Sequence, residues 1–331
     1  MTAVRVGLVG AGRIGTSHAG ILATVVPGAE LVAAADPQPG AAEAITGKVG
    51  GQAWTDVAAM ISSDLDAIVV TASSAAHAEL VVAAAEAGKA VFCEKPMSMT
   101  LAEIGRVAAA VERAGVVAQV GFNRRFDRGF AAAHGAIVGG RVGTPQLLRS
   151  VTRDPGLADP AAVPPWTIFT QTLIHDFDTV CWLAGSEPVE VYASADALIA
   201  PEFKDRGLLD TAVVLITFAS GARAVAEASF SAAYGYDVRG EVFGSSGMVT
   251  AGDGARSTLQ VYDAFGRHRD TTHSDVELLR DAYIGELTHF VQCVRDSVTP
   301  SPTVADARRA LAVALACIES YQNHIPVAVA L

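Results

Sequence analysis

The chain reads as an α/β protein, with an N-terminal doubly wound parallel sheet and a C-terminal α+β domain whose large open sheet is mainly antiparallel. Three observations predict this. Short apolar runs alternate with helix-compatible segments up to about residue 122, the pattern of a parallel sheet covered by helices on both faces. The first run, residues 4–9, passes through Gly10-Ala11-Gly12-Arg13-Ile14-Gly15 into a helix-compatible stretch at 16–25. Beyond residue 123 several strand-like runs succeed one another with short turns, which indicates hairpins more than crossovers.

In chain order, residues 31–35 form a strand ending at Asp36, and helix-compatible stretches follow at 41–45 and 57–61. Residues 67–71 are the next strand, and a helix over 77–87 is closed by Gly88. The strand at 90–93 leads into Glu94-Lys95-Pro96. Thr100-Leu101-Ala102-Glu103 has the spacing of a capping box and opens a helix to Ala114. A strand at 116–120 completes a first domain, 1–122. The second domain, 123–331, starts with a helix near 130–138 and a strand at 147–152. A Pro-rich stretch at 155–165 is expected as a mobile loop, before a helix over 172–183. Strands at 189–193, 211–218, 222–230 and 238–243 come next, with Ala219-Ser220-Gly221 as a hairpin turn. Tyr283, Leu287, Phe290 and Val294 mark the apolar face of one closing helix, and Leu311, Ala314, Leu315 and Ile318 that of the other. The last helix can pack back on the first domain.

Composition narrows the function. The chain has 331 residues, 51% of them hydrophobic and 18% charged, enough apolar material for two cored domains. A net charge of −11 without any Lys/Arg cluster excludes nucleic acid as a partner on electrostatic grounds. Cys93, Cys181, Cys293 and Cys317 are far apart, so neither a disulfide framework nor a zinc site is implied, and buried thiols in a reducing cytoplasm are expected. No apolar stretch reaches the roughly 18 residues of a spanning helix, and no export signal precedes the first strand. A cytoplasmic protein without a membrane partner is therefore expected.

Strand, G-x-G-x-x-G and helix together form the dinucleotide fingerprint of a Rossmann domain. Gly10 makes the tight turn, Gly12 lets backbone approach a pyrophosphate, and Gly15 lets helix pack on strand, with Arg13 and Ile14 between them. The helix N-terminus offers free N–H groups and a positive dipole end to the phosphates. Asp36 ends the second strand, where a carboxylate accepts bonds from ribose hydroxyls and repels a 2′-phosphate. No Arg follows it in Pro37-Gln38-Pro39, so NAD is expected in preference to NADP.

Glu94-Lys95-Pro96 lies at the carboxyl edge of the sheet, where open α/β sheets bind ligands. With the glycine motif and Ile174-His175-Asp176-Phe177-Asp178, it resembles the glucose–fructose oxidoreductase/inositol dehydrogenase (Gfo/Idh/MocA) family over nearly the whole chain. Gly121-Phe122-Asn123-Arg124-Arg125-Phe126-Asp127, Thr152-Arg153-Asp154-Pro155 and Tyr234-Gly235-Tyr236-Asp237 resemble its inositol 2-dehydrogenase branch, and Glu241-Val242-Phe243-Gly244-Ser245 with Gly247-Met248 continues the match. The resemblance implies hydride transfer between nicotinamide C4 and a secondary alcohol carbon of a cyclitol or sugar. It makes Lys95 the group that stabilises the developing charge on oxygen, and His175 the acid/base. Histidine is the side chain nearest neutrality, and a positioned base supplies about 10²–10⁴ in rate. Thr71, Ser73, His77, Glu94 and Lys95 would complete the cofactor site, although His77 reads equally as a helix-start residue. Asn123, Arg124, Thr152, Asp154, Thr172 and Tyr234 would line the substrate pocket. No metal is needed, because Lys95 occupies the electrophile's role. A homo-oligomer, dimer or tetramer, would form through the open sheet face.

The chain departs from the family pattern at three places. Gln171 stands where an Asp usually precedes the catalytic His by four residues, and it can hydrogen-bond a hydroxyl but take no proton. Pro164-Pro165-Trp166-Thr167 replaces a small Ser/Gly loop, bringing an indole that would fill volume or stack on a ring. Ala228-Ser229-Phe230 replaces a polar cluster. Two further readings stay open: a keto-sugar reductase of a biosynthetic pathway, and a non-catalytic dinucleotide-bound sugar sensor. Asp176 and Asp178 are expected to cap or pair with structural groups.

Overall fold

Val4–Val9 (β1) is buried at every position except Arg5, as a central strand covered on both faces must be. In the computed structural model, which describes residues 3–157 and 159–331, it is followed by α1 (Arg13–Thr24), β2 (Ala29–Ala35), α2 (Ala41–Val49), β3 (Gln52–Trp54), α3 (Val57–Ile61), β4 (Ala67–Val70), α4 (Ser74–Glu86), β5 (Ala90–Glu94), α5 (Leu101–Ala114) and β6 (Ala118–Gly121). The strands form one parallel six-stranded sheet in the order β3-β2-β1-β4-β5-β6, the doubly wound arrangement with its switch point between β1 and β4. The Thr100 hydroxyl accepts the Glu103 N–H at 3.2 Å, and Gly115, left-handed at φ 63°, ends α5. Only half of the expected capping box forms, because the Glu103 carboxylate takes the Ser98 hydroxyl at 2.5 Å.

The remaining elements are α6 (Arg128–Val138), β7 (Pro145–Arg153), α7 (Leu173–Ala184), β8 (Pro188–Asp196), β9 (Thr211–Phe218), β10 (Arg223–Ser229), β11 (Asp237–Gly244), β12 (Gly247–Ala251), β13 (Gln260–Asp263), β14 (Gly266–Arg269), α8 (Asp275–Leu278), α9 (Arg280–Asp296), α10 (Val304–Asn323) and β15 (Val327–Ala328). Seven of the strands make a mixed sheet, β12-β11-β7-β10-β9-β8-β15. All its pairs are antiparallel except β7 with β10. Helix α7 lies against β7 and β10. Strand β9 alternates buried Ala212, Val214, Ile216 and Phe218 with exposed Val213 and Leu215, the period of a half-covered sheet.

Contacts divide the chain into two units, Met1–Asn123 with Asp281–Arg308, and Arg124–Arg280 with Arg309–Leu331. The first unit thus takes in most of α9 and the start of α10. In the second, α7 is pinned by two buried ion pairs. Arg124 donates to Asp176 at 2.8 Å, and Arg125 grips both oxygens of Asp178 at 2.5 and 2.9 Å. Asp176 and Asp178 therefore pair internally. Removing one partner of such a buried pair typically costs about 3–5 kcal/mol, so these arginines fix the helix that carries His175.

Several bounds differ from the sequence reading. Helices α1 and α4 each begin three residues earlier than expected, at Arg13 and Ser74, because a glycine or serine at the cap leaves the next residues free to turn. Strands β3, β12, β13, β14 and β15 were not anticipated. They are short or exposed, and β14, Gly-Arg-His-Arg, has no apolar alternation at all. The 155–165 stretch holds a 3₁₀ turn at Pro160–Ala162, while its Ala158 lies outside the described residues.

Candidate active site

The carboxyl ends of β1, β2, β4 and β5 carry the residues expected at the cofactor. Gly10, at φ 101°, turns the chain beneath Ala72, whose backbone nitrogen would lie 2.5 Å from any Cβ there. A Cβ on Gly15 would fall 1.9 Å from the Gly10 carbonyl oxygen, whereas one on Gly12 would meet nothing within 4 Å. So Gly15 permits the helix to press on the strand, and Gly12 stands open to a ligand. Gly12 is also the N-cap of α1, with no side-chain cap, which leaves first-turn N–H groups to bind an anion.

The Asp36 carboxylate accepts Ala11 N–H at 2.8 Å through one oxygen and Gln38 N–H at 2.9 Å through the other. Each oxygen keeps lone-pair capacity for a ribose hydroxyl, and the carboxylate is locked to the glycine loop. Thr71 is buried, with its hydroxyl shared between the Val9 and Gly10 carbonyls at 3.0 and 2.8 Å, so it shapes the loop from below. Ser73 caps α4 without a side-chain bond. His77 is buried and bridges two turns, its Nδ1 2.8 Å from the Pro96 carbonyl and its Nε2 2.9 Å from that of Ala72. Arg13 is exposed and Ile14 half-buried. Lys95 is half-buried after β5, and its backbone N–H donates to Glu94 Oε2 at 3.1 Å. Asn123 is buried, and its Oδ1 has no hydrogen-bond partner among the described residues, a group suited to binding a hydroxyl donor.

In the second unit, Trp166 adopts φ 61°, a region bulky residues rarely visit. Its N–H donates to the Gly207 carbonyl at 2.8 Å. Its indole lies against Gly207 and 6.0 Å from the Tyr321 ring. The chain then makes a π-helical turn, Ile168–Thr172, before α7; such turns add a residue and re-aim side chains. Gln171 lies in that turn and His175 in the first turn of α7, both half-buried, while Thr172 is buried. Next to His175, Asp176 collects the Ser150 hydroxyl at 2.5 Å, the Thr152 hydroxyl at 2.6 Å and Arg124. Arg124 also reaches Thr152 at 2.6 Å. Both residues are thus buried in a knot behind the helix. Asp154 is half-buried just after β7. Tyr234 is half exposed, and its hydroxyl donates to Asp237 at 2.8 Å, which Arg239 also holds at 2.6 and 3.0 Å. The sequence names Asp237 only as part of a motif and His18 only as a structural residue of the first helix, and it gives no sign that Glu94 meets His18 and Glu286 in the interior.

A 3-2-1-4-5-6 parallel sheet with an open glycine cradle and a strand-end carboxylate defines a dinucleotide-binding Rossmann protein. Residues 4–122 match the model of the oxidoreductase family with an NAD-binding Rossmann fold, and residues 130–250 match the GFO/IDH/MocA C-terminal domain. The chain belongs to the Gfo/Idh/MocA family and is an NAD-dependent oxidoreductase. It is 36% identical to scyllo-inositol 2-dehydrogenase (NAD(+)) of Bacillus subtilis over 98% of this chain and 96% of that protein. It is 37% identical to myo-inositol 2-dehydrogenase of Thermotoga maritima, over 97% of each. Among solved structures, scyllo-inositol dehydrogenase from Lactobacillus casei with bound NAD(H) and scyllo-inositol superposes with a TM-score of 0.95 at 27% identity, covering all of both chains.

Replacing Asp36 with Ala removes the carboxylate at the end of β2 and one anchor of the glycine loop. NAD affinity should fall about 10- to 100-fold, each tenfold being about 1.4 kcal/mol, and the NAD/NADP preference should shrink. Titration of both cofactors checks this; an unchanged NAD affinity would remove Asp36 from the site.

Proposed function

We propose that the protein is an NAD-dependent dehydrogenase of inositol-type cyclitols. The observation that carries this is full-length likeness to scyllo- and myo-inositol 2-dehydrogenases in a chain that retains both Lys95 and His175. NAD, held at the Gly10–Gly15 turn and Asp36, would supply the hydride acceptor at nicotinamide C4. The secondary alcohol gives that hydride from carbon and its hydroxyl proton to His175, leaving a ketone. The Lys95 ammonium hydrogen-bonds the reacting oxygen and stabilises its charge as the C–H bond breaks. In reduction the same groups run in reverse, His175 returning the proton, so a keto-sugar reductase would use the same residues.

Asn123, Trp166, Gln171 and Thr172 are assigned to substrate contact. Arg124 and Thr152 support His175 through Asp176, and Tyr234 acts through Asp237. Gln171 and the indole of Trp166 favour a substrate altered at the hydroxyl that an Asp would otherwise meet. Gln171 is also the observation behind the second reading, a dinucleotide-bound sugar sensor. Self-association through the open face of the seven-stranded sheet is supported by exposed Leu147, Tyr192, Leu215, Phe243 and Met248, an apolar surface of the kind that marks an interface; a light-scattering mass of one chain would remove it. No helix among the described residues is long and apolar enough to cross a membrane, and the four cysteines are free and buried, which fits a reducing cytoplasm.

The test is reduced-nicotinamide absorbance with NAD and a panel of cyclitols and sugars. Turnover is expected with at least one cyclitol, and Lys95→Ala should lower kcat by about 10² or more with NAD affinity retained. NAD binding without turnover on any polyol or ketone would favour the sensor.

Gln171→Asp should raise kcat/KM on unmodified inositols. If no substrate responds, Trp166 and its loop set specificity instead.

A further inference from the structure

Three titratable side chains meet in the interior of the first unit, outside the set that would touch substrate. His18 on α1, Glu94 at the end of β5 and Glu286 on α9 are all buried, with one oxygen or nitrogen from each lying within 4.8 Å of the others. His18 Nε2 is 2.9 Å from Glu94 Oε1 and 3.9 Å from Glu286 Oε1. The other Glu94 oxygen accepts the Lys95 N–H at 3.1 Å. Across the sheet, the partner of Glu94 is Gly121, where a Cβ would crowd Glu94 Oε2 at 3.1 Å. The sheet therefore leaves room for this carboxylate. Both Glu286 side-chain oxygens are buried without a hydrogen-bond partner among the described residues, although its carbonyl accepts the Gln119 amide at 2.9 Å.

Two ionised carboxylates beside one imidazole, away from water, would repel each other at low dielectric. One proton relieves this, and the surroundings choose where it sits. Burial pushes Glu94 up, but the hydrogen bond and charge of His18, with Lys95 and His77, outweigh it and hold Glu94 below the usual carboxylate range. Burial, then the Glu94 charge, pushes Glu286 well above that range. The other titratable groups at the cluster are Cys93 beside Glu94 on β5 and Tyr283, whose ring lies 5.4 Å from that of His18.

We propose that His18 and Glu94 are positioning residues for Lys95, and that Glu286 stands beside them as a neutral carboxylic acid. The helix that begins in the glycine loop then holds, through His18, the carboxylate that fixes the Lys95 backbone. This rests on Lys95 being the cation that meets the substrate oxygen.

The experiment compares wild type, Glu94→Gln, His18→Asn, Glu286→Gln and Lys95→Ala in kinetics, NAD binding, Tm against pH and metal content. Glu94→Gln turns one accepting oxygen into a donor, so kcat should fall about 10- to 100-fold, the scale of a misplaced reacting group, with a smaller change in NAD affinity. His18→Asn should fall in the same direction, and retained NAD binding shows that each variant folds. Because the folded-state pKa of Glu286 is raised, the stability it contributes is present at low pH. That contribution is lost as pH climbs above the ordinary value of about 4.3 toward the folded one. Glu286→Gln has no such loss, so its Tm should match wild type near pH 4.5 and exceed it increasingly toward pH 8. A Glu286→Gln Tm that drops below wild type as pH rises would mean an ionised Glu286 and overturn the assignment. Stoichiometric metal in wild type that disappears in Glu286→Gln would overturn it in favour of a cation site. A slowed Lys95→Ala alongside a wild-type-like Glu94→Gln would sink the positioning role alone. Unimpaired Lys95→Ala would sink the catalytic reading on which it rests.

Discussion

The parallel register of β2-β1-β4-β5 is the constraint on which the cofactor half of this protein depends. Four consecutive neighbours end at one edge, and backbone bonds tie β1 to β2 and β4, and β2 to its outer neighbour β3: Gly10 N–H to Ala35 O at 2.9 Å, Thr71 N–H to Val9 O at 2.8 Å, and Asp36 N–H to Trp54 O at 3.1 Å. Side chains then complete the lock, Asp36 on Ala11 and Thr71 on Gly10. The glycine turn, the Asp36 carboxylate and the residue that follows β5 are thereby delivered to one edge by strands otherwise occupied with core packing. Slipping one strand by a residue would reverse its side-chain faces and scatter the set.

Buried charge is the second theme, and each unit handles it differently. In the second unit the two buried acids of α7 each face a guanidinium, Asp176 that of Arg124 and Asp178 that of Arg125, and Asp176 also takes the hydroxyls of Ser150 and Thr152. Such pairing offsets desolvation and rigidifies α7. In the first unit, Glu94 is matched by His18 and the Lys95 N–H, while Glu286 is left over. An isolated buried carboxyl sheds its charge by keeping a proton, which makes Glu286 legible as an acid and not as a counter-ion.

The fold was legible wherever burial imposes a period. Strands β1, β4 and β9 and helices α3 and α5 coincide with apolar runs and caps that appear in the residues themselves. Exposed β13 and β14 gave no such signal, because a solvated hairpin needs no alternation. The glycine triplet and Asp36 were readable because their chemistry is local. Arg124, Thr152 and Tyr234 were harder: a motif shows which residues accompany a site, but not whether a side chain faces ligand or spends its bonds on Asp176 or Asp237. The buried cluster had a signal that passed unused. Glu286 falls three residues after Tyr283 and four before Phe290, on the apolar stripe of α9, where a charged residue has no solvent to meet.

The chemistry proposed for this protein is hydride transfer from a cyclitol carbon to bound NAD. Its most direct test is transient absorbance of reduced nicotinamide, using a cyclitol turned over by the protein and the same compound deuterated at its carbinol carbons. A rise in absorbance that deuterium slows, and that weakens in His175→Asn as well as Lys95→Ala, is the outcome expected. An NAD-loaded protein that gives no absorbance change with any cyclitol, or whose rate ignores the loss of both side chains, would contradict it.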